Sequence, residues 1–350
     1  MGGGAAASGV PTMAENPYVA NAEKAREFMG KILVTGAAGQ IGSELVVALR
    51  EKHGEENVIA TDILLKAVEK VLPSGPNEQV DVTEIRKLQE AIGTWGVTTI
   101  YHLAAILSAA GEKNPQVAWD VNMRGLQNIL ELSRELGVKR VYWPSSIAVF
   151  GPGVPRVKTP QDVPLVPTTM YGITKAAGEL LCNYYFQRYG VDVRSIRYPG
   201  IISNKVPPHG GTTDYAVDIF YQAILKKRYT CFVRENTVLP MMYMPDAIRA
   251  TLMLMDASQK SVTYHMGHNL AGLSFSAGQL AKEIRKHIPG FACEFVPDFR
   301  QKIADSWPES VDDSVARNDW GWKPKYNLAA MTKDMIKELS ARAEQRKLLS

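Results

Sequence analysis

The stretch that most constrains this chain is Lys31-Ile32-Leu33-Val34-Thr35-Gly36-Ala37-Ala38-Gly39-Gln40-Ile41-Gly42. An apolar run meets three glycines spaced three apart, and an amphipathic run (Leu45, Val46, Leu49) follows at once. The pattern predicts a strand turning tightly into a helix. Gly36 stands where the turn needs backbone angles barred to other residues, and Gly39 where phosphates must approach the main chain. Gly42 lets the new helix sit on the sheet, and the first N–H groups of that helix, at Gln40 and Ile41, are left to face an anion.

Val58-Ile59-Ala60-Thr61-Asp62 reads as the next strand. Its carboxylate lies 20 residues beyond Gly42, where such folds place the acid that accepts both hydroxyls of an adenosine ribose. That charge repels a 2′-phosphate, and no arginine stands beside it or in the glycine turn. NAD is therefore favoured over NADP.

Beyond the turn, strand-like and helix-like segments alternate, which predicts an α/β fold: a doubly wound parallel sheet with helices on both faces. The expected strands are Lys31–Thr35, Asn57–Asp62, Glu78–Val82, Thr98–Ala104, Arg140–Ser145 and Val193–Tyr198. Gly151–Pro167 reads as a Pro-rich loop. After Gly200 the alternation weakens, which points to a smaller mixed C-terminal lobe. The expected division is a flexible leader or expression remnant over 1–29, a nucleotide-binding domain over 30–204, and a substrate lobe over 205–234 and 263–350. Residues 235–262 are expected to return to the nucleotide domain, with Val238–Met255 as a β-α piece at the sheet edge and Pro245 opening its helix.

Composition narrows the class. Hydrophobic and charged fractions of 45% and 22% are ordinary for a soluble enzyme. The formal charge of +4 is spread out, with no basic run for nucleic acid or a membrane surface. The longest apolar runs fall short of a membrane span. Cys182, Cys231 and Cys293 are dispersed and odd in number, so neither a disulfide framework nor a zinc cluster is expected. The histidines show no metal spacing; His102 reads as a satisfied core residue and His209 as a loop residue. A reducing compartment follows, the cytoplasm or alternatively the mitochondrial matrix.

The crevice can be followed strand by strand. Asp81-Val82 closes the third strand, where an acid can meet an adenine amino group. Leu103-Ala104 ends the fourth, where small residues let ribose and phosphates pass, and Ile201 follows the sixth. Asn122 falls inside a predicted helix, where asparagine is unfavourable, so it is either a solvent-facing accident or a site residue. The chemistry centres on Tyr171-Gly172-Ile173-Thr174-Lys175: four apart on a helix, the phenol and the ammonium share a face. At ~4 Å and an effective dielectric of ~20 they interact by about 4 kcal/mol, enough to bring a phenol of pKa ~10 toward use as a proton acceptor. Ser146, at the end of the fifth strand and 25 residues before the tyrosine, is placed to hold a substrate alcohol.

A glycine turn, a strand-end serine and Tyr-x-x-x-Lys in this order resemble the extended short-chain dehydrogenase/reductase family. The resemblance implies a Rossmann-type domain, Ser146 as holder of the substrate alcohol, Tyr171 as catalytic acid/base, and Lys175 as pKa modulator and ribose ligand. It also implies a homodimer, formed by the helices Gln116–Leu136 and Met170–Tyr189 pairing across a two-fold axis. Four further stretches, Leu107–Pro115, Gly210–Ala216, Leu239–Ala247 and Ile303–Pro308, resemble the short-chain L-threonine 3-dehydrogenase branch of that family, which oxidises the β-alcohol of L-threonine to 2-amino-3-oxobutanoate with NAD and no metal. The residues themselves fit a small zwitterion. Thr212 opens a helix and suits either a carboxylate or an ordinary cap. Ser108 can meet the polar head of an amino acid, and Trp307 either closes over the substrate or packs in the core. Two other readings share the fold: a nucleotide-sugar epimerase or dehydratase, using Lys205, Lys226, Lys227, Arg228 and Arg234 for a diphosphate, and a redox-sensing NAD-binding protein without turnover.

Overall fold

A computed structural model describes residues 30–207 and 211–348; the leader over 1–29, His209 and Gly210 lie outside the described residues. Among the described residues twelve strands occur in chain order. The first six are β1 (Lys31–Thr35), β2 (Val58–Asp62), β3 (Asn77–Gln79), β4 (Val97–His102), β5 (Arg140–Ser146) and β6 (Val193–Tyr198). The others are β7 (Gly200–Ile202), β8 (Arg228–Cys231), β9 (Val238–Tyr243), β10 (Gly267–Asn269), β11 (Leu273–Ser276) and β12 (Ala292–Phe295). Seven of them form one sheet in the order β10-β6-β5-β4-β1-β2-β3, parallel throughout. The winding reverses between β1 and β4, so a crevice opens there at the carboxyl ends of the strands.

Alternation along each strand explains why both faces are covered. Ile32, Val34, Val58 and Ala60 pack on one side with Leu45 and Leu49 of the helix Gln40–His53. Leu33, Ile59 and Ile100 pack on the other with Leu88 and Ile129. The smaller lobe holds a mixed sheet, β11-β9-β7, and a parallel pair, β12-β8. Among the described residues, no helix is long and apolar enough to cross a membrane.

Three elements differ from the sequence expectation by more than a single end residue. β3 stops at Gln79 rather than Val82, because the Asp81 carboxylate accepts from the Thr83 N–H at 2.8 Å and its hydroxyl at 2.7 Å and turns the chain. β4 ends at His102, after which the Leu103 N–H still donates to the Thr35 carbonyl at 3.0 Å before the chain leaves the sheet. The strand within Val238–Met255 does not reach the main sheet; β9 lies between β11 and β7, and the edge position beside β6 is taken by β10. Its following helix, Met244–Asp256, does open with proline and packs against the helix Gln40–His53.

The helix Met170–Tyr189 lies close on β5. Thr169 caps it, its hydroxyl accepting from the Gly172 N–H at 3.0 Å, and Gly190 closes it in the left-handed conformation. Gly178 permits the close approach: a Cβ there would stand 2.4 Å from the Trp143 ring. Gly178→Val should therefore overpack this interface and lower stability by about 2 kcal/mol. Urea unfolding checks it: a lower midpoint at unchanged slope is expected, and an unchanged midpoint would show that the contact is loose.

Candidate active site

The glycine turn is built as a cradle. Gly36 has φ +69°, and a Cβ on it would stand 2.6 Å from the Ala104 backbone nitrogen. A Cβ on Gly42 would meet the Gly36 carbonyl at 2.3 Å. Gly39 is exposed at the lip, and the first helical bond runs from Ser43 N–H to its carbonyl. The N–H groups of Gln40, Ile41 and Gly42 therefore precede the helical ladder, at the positive end of a 14-residue helix. This donor set fits the pyrophosphate of a dinucleotide. Asp62, at the end of β2, stands against the turn: its Oδ2 accepts from the Ala38 N–H at 3.2 Å and its Oδ1 from the Leu64 N–H at 3.3 Å.

One crevice collects the turn and the reactive side chains. Gly36, Gly39, Gln40, Ile41, Leu103, Ser108, Ser146, Tyr171, Lys175, Ile201, Thr212 and Trp307 all line it. Three consecutive β5 residues are held by the helix beside them. The Lys175 Nζ donates to the Pro144 carbonyl at 2.6 Å, Ser145 Oγ donates to Glu179 Oε1 at 2.5 Å, and the Ser146 hydroxyl neighbours the Tyr171 phenol. Ser146 Oγ also accepts from the Ala148 N–H at 3.2 Å, fixing the hydroxyl at the strand end.

The electrostatics differ from the sequence expectation. Burial pushes the Tyr171 phenol up to about 12, and the hydrogen bond from Ser146 offsets only part of this. Burial likewise brings Lys175 down to about 7, opposed by Cys182 and Glu179. The ammonium sits 4.5 Å above the Trp143 ring and 5.5 Å from the Tyr171 ring centre. For both groups desolvation is the dominant influence.

On the substrate side, Thr212 is buried, lines the crevice, and its Oγ1 has no hydrogen-bond partner. A dry hydroxyl left unpaired beside a cavity costs free energy until a ligand meets it. The adjoining turn is fixed by the Gly211 N–H donating to Asp214 Oδ2 at 2.7 Å. Trp307 is 5% exposed, lines the crevice wall and packs in the lobe core. Ser108 is buried at the start of a short helix after β4.

Asp62, Asp81, Val82, Ala104 and Asn122 do not line this crevice. Asp81 holds its own turn, and Val82 packs against Gly125. Ala104 offers its backbone to Gly36. Asn122 lies on a π-helical turn, Asp120–Arg124. Its Oδ1 accepts from the Ile106 N–H at 2.8 Å, and its Nδ2 donates to the Ile106 carbonyl at 3.1 Å and to Thr174 Oγ1 at 3.0 Å. The asparagine thus ties the chain after β4 to the tyrosine helix. Sequence reading missed the wall formed by Pro144, Tyr198, Pro199 and Gly200; the strand-end positions of these residues were the available signal.

The sequence profile of the NAD dependent epimerase/dehydratase family matches residues 32–267. An uncharacterized epimerase/dehydratase of Staphylococcus haemolyticus is 48% identical over 91% of this chain and 100% of its own length. An L-threonine dehydrogenase from Cupriavidus necator, solved in its holo form, superposes with TM-score 0.85 at 52% identity, covering 88% of this chain and 99% of that one. A metagenome-derived L-threonine 3-dehydrogenase described as monomeric gives TM-score 0.85 at 52% identity, with 89% and 99% covered.

Beneath the turn, His102 is only half satisfied. Its Nδ1 pairs with Thr35 Oγ1 at 2.8 Å, while the buried Nε2 has no partner. Burial pushes this imidazole down to about 3, with Lys175 adding to the effect, so it is neutral in the folded chain. Below its unfolded value of ~6.5, the unfolded chain takes up a proton that the folded chain refuses. Stability must fall as pH drops from about 6.5 to 3. His102→Gln should flatten that acid limb in unfolding measured at pH 7 and pH 4; an equally steep loss would mean that other groups carry it.

Proposed function

The chain belongs to the NAD dependent epimerase/dehydratase family, and from that premise we propose that it oxidises the β-hydroxyl of L-threonine to 2-amino-3-oxobutanoate with NAD. One observation carries the reading: the crevice that joins the glycine cradle to Ser146, Tyr171 and Lys175 also contains the unpaired Thr212 hydroxyl. A small polar substrate would satisfy it. Relatives at 52% identity that are described as threonine dehydrogenases support the choice.

In this reading, Gln40 and Ile41 hold the pyrophosphate through their N–H groups and Asp62 accepts the adenosine ribose hydroxyls. Asp62 also selects NAD, because it repels a 2′-phosphate. Asp81, Val82, Leu103, Ala104, Asn122 and Ile201 shape or support the rest of the cofactor site. When bound, the oxidised nicotinamide supplies the acceptor for the hydride released from the β-carbon and a positive charge beside the phenol. Ser146 holds the alcohol, and Tyr171 takes its proton. Lys175, in a site too dry for water to screen it, stabilises the phenolate as it forms and reaches the ribose. Thr212 receives the carboxylate, Ser108 the ammonium end, and Trp307 keeps water out.

We further propose that two copies pair through the helices near residues 115–136 and 170–189. Val117, Trp119, Leu180 and Tyr184 are between 45% and 60% exposed on them. A monomer mass in light scattering would overturn the pairing. We place the protein in the cytoplasm, in keeping with its dispersed free cysteines.

Purified protein should reduce NAD with L-threonine, and Tyr171→Phe should lose about 10²-fold or more in kcat while keeping its cofactor affinity. Turnover of a UDP-sugar without turnover of threonine, or full activity in Tyr171→Phe, would overturn the reading. Thr212→Val should raise KM about tenfold with kcat little changed, since it removes one hydrogen bond to a charged group. The pH profile has a definite sign. Burial holds the phenol above its ordinary value, so at saturating NAD kcat/KM for threonine should rise as the pH increases from 6 to 8. A flat profile would place the proton acceptor elsewhere.

A further inference from the structure

One turn beyond Lys175, the same helix carries a fully buried carboxylate. Glu179 is 0% exposed and Arg197 is 1% exposed. Arg197 grips it in bidentate fashion, Nε to Oε1 at 2.8 Å and Nη2 to Oε2 at 2.7 Å. Arg197 stands on β6, in register with Ser145 of β5, and Ser145 Oγ donates to the same Oε1. The remaining guanidinium nitrogen, Nη1, donates to the Gln161 carbonyl at 2.8 Å and to Asn269 Oδ1 at 3.1 Å. Asn269 belongs to β10, the edge strand, where Gly267 leaves room for the carboxylate: a Cβ there would stand 2.4 Å from Glu179 Oε1.

Burying such a pair is weak evidence for stability, since the desolvation of both ions opposes their attraction. Its location says more. Helix positions 171, 175 and 179 engage β5 residues 146, 144 and 145, so Glu179 closes a three-point clamp whose other two points are Tyr171 and Lys175. The ionisable groups facing Lys175 are Tyr171, Glu179 and Cys182 on its own helix and His102 on β4. Burial keeps the Cys182 thiol and the Tyr171 phenol protonated and His102 neutral. Glu179 is thus the anion that faces the Lys175 ammonium, with Arg197 behind it.

We propose that Glu179, gripped by Arg197 and Ser145, is a positioning residue for the reaction: its buried negative charge keeps Lys175 cationic, and its hydrogen bonds set the strand end that presents Ser146 to Tyr171. Glu179 touches neither substrate nor cofactor; it acts through its neighbours. This inference rests on the proposed role of Lys175 as cationic ribose ligand.

The test follows NAD affinity, without threonine, by tryptophan fluorescence from pH 5 to 9. Affinity should fall where Lys175 loses its proton. In Glu179→Gln that midpoint should move down by about one pH unit, because an opposite charge one helical turn away is lost. Glu179→Asp should return it toward the parent value. A purely structural pair would lower the melting temperature and leave the midpoint where it was, and that outcome overturns the inference. Should Glu179→Gln fail to fold, Glu179→Gln/Arg197→Gln decides by the same midpoint: a value below the parent supports the inference, because the nearer charge is the carboxylate, and a value at the parent overturns it. Lys175→Met separates the two levels of the argument. Were it to keep the pH dependence of the parent, the role of Lys175 itself would fall; were it to abolish that dependence while Glu179→Gln left the midpoint in place, only the inference about Glu179 would.

Discussion

The site depends on the seating of one helix on one strand. Met170–Tyr189 lies so close to β5 that only glycine fits at 178 against Trp143, and at this separation a lysine can reach a strand carbonyl with its full length. The contact fixes where the phenol, the ammonium and the serine hydroxyl stand relative to one another. The parallel sheet then fixes where all three stand relative to the glycine turn, because β5, β4 and β1 are neighbours with their carboxyl ends on the same side. Loosening the helix would leave each side chain present and none of them aligned.

Dryness is the second property the site uses. The same packing that aligns Tyr171 and Lys175 takes water from both, and in the free chain this pushes the phenol up and the lysine down. Neither residue is therefore activated at rest by the other alone. A low-dielectric site makes added charge count for more, so a cationic ligand entering beside the phenol changes its acidity far more than it would in water. The arrangement is primed by its surroundings and completed by what binds.

Local rules made the nucleotide half legible. The glycine turn, the alternating apolar strands and the Tyr-x-x-x-Lys spacing each follow from one stretch of chain, and the structure brings Gly36, Gln40, Ser146, Tyr171 and Lys175 to one crevice. The lobe was less legible because its strands are short and fixed by distant partners. β10 is Gly267-His268-Asn269, with no apolar alternation, and its place is set by hydrogen bonds between Asn269 and Gln161 and Thr159. Asn122 stood out as an anomaly in its helix, but its use as a latch on Ile106 needs the fold to be seen. Glu179 reads as an unremarkable helical acid until Arg197 and Ser145 meet on it. Burial, which decides the direction of the Tyr171 and Lys175 shifts, is a property of the packed molecule and not of their spacing.

The most direct measurement follows the hydrogen that leaves the β-carbon in the proposed reaction. Single-turnover reaction of the protein with NAD and L-threonine deuterated at that carbon can be stopped and the reduced cofactor weighed by mass spectrometry. Direct transfer within the crevice predicts that the reduced cofactor carries the deuterium and that the step is slower than with unlabelled threonine. Reduced cofactor free of deuterium, or no reduction at all with threonine while the cofactor is bound, would contradict the account.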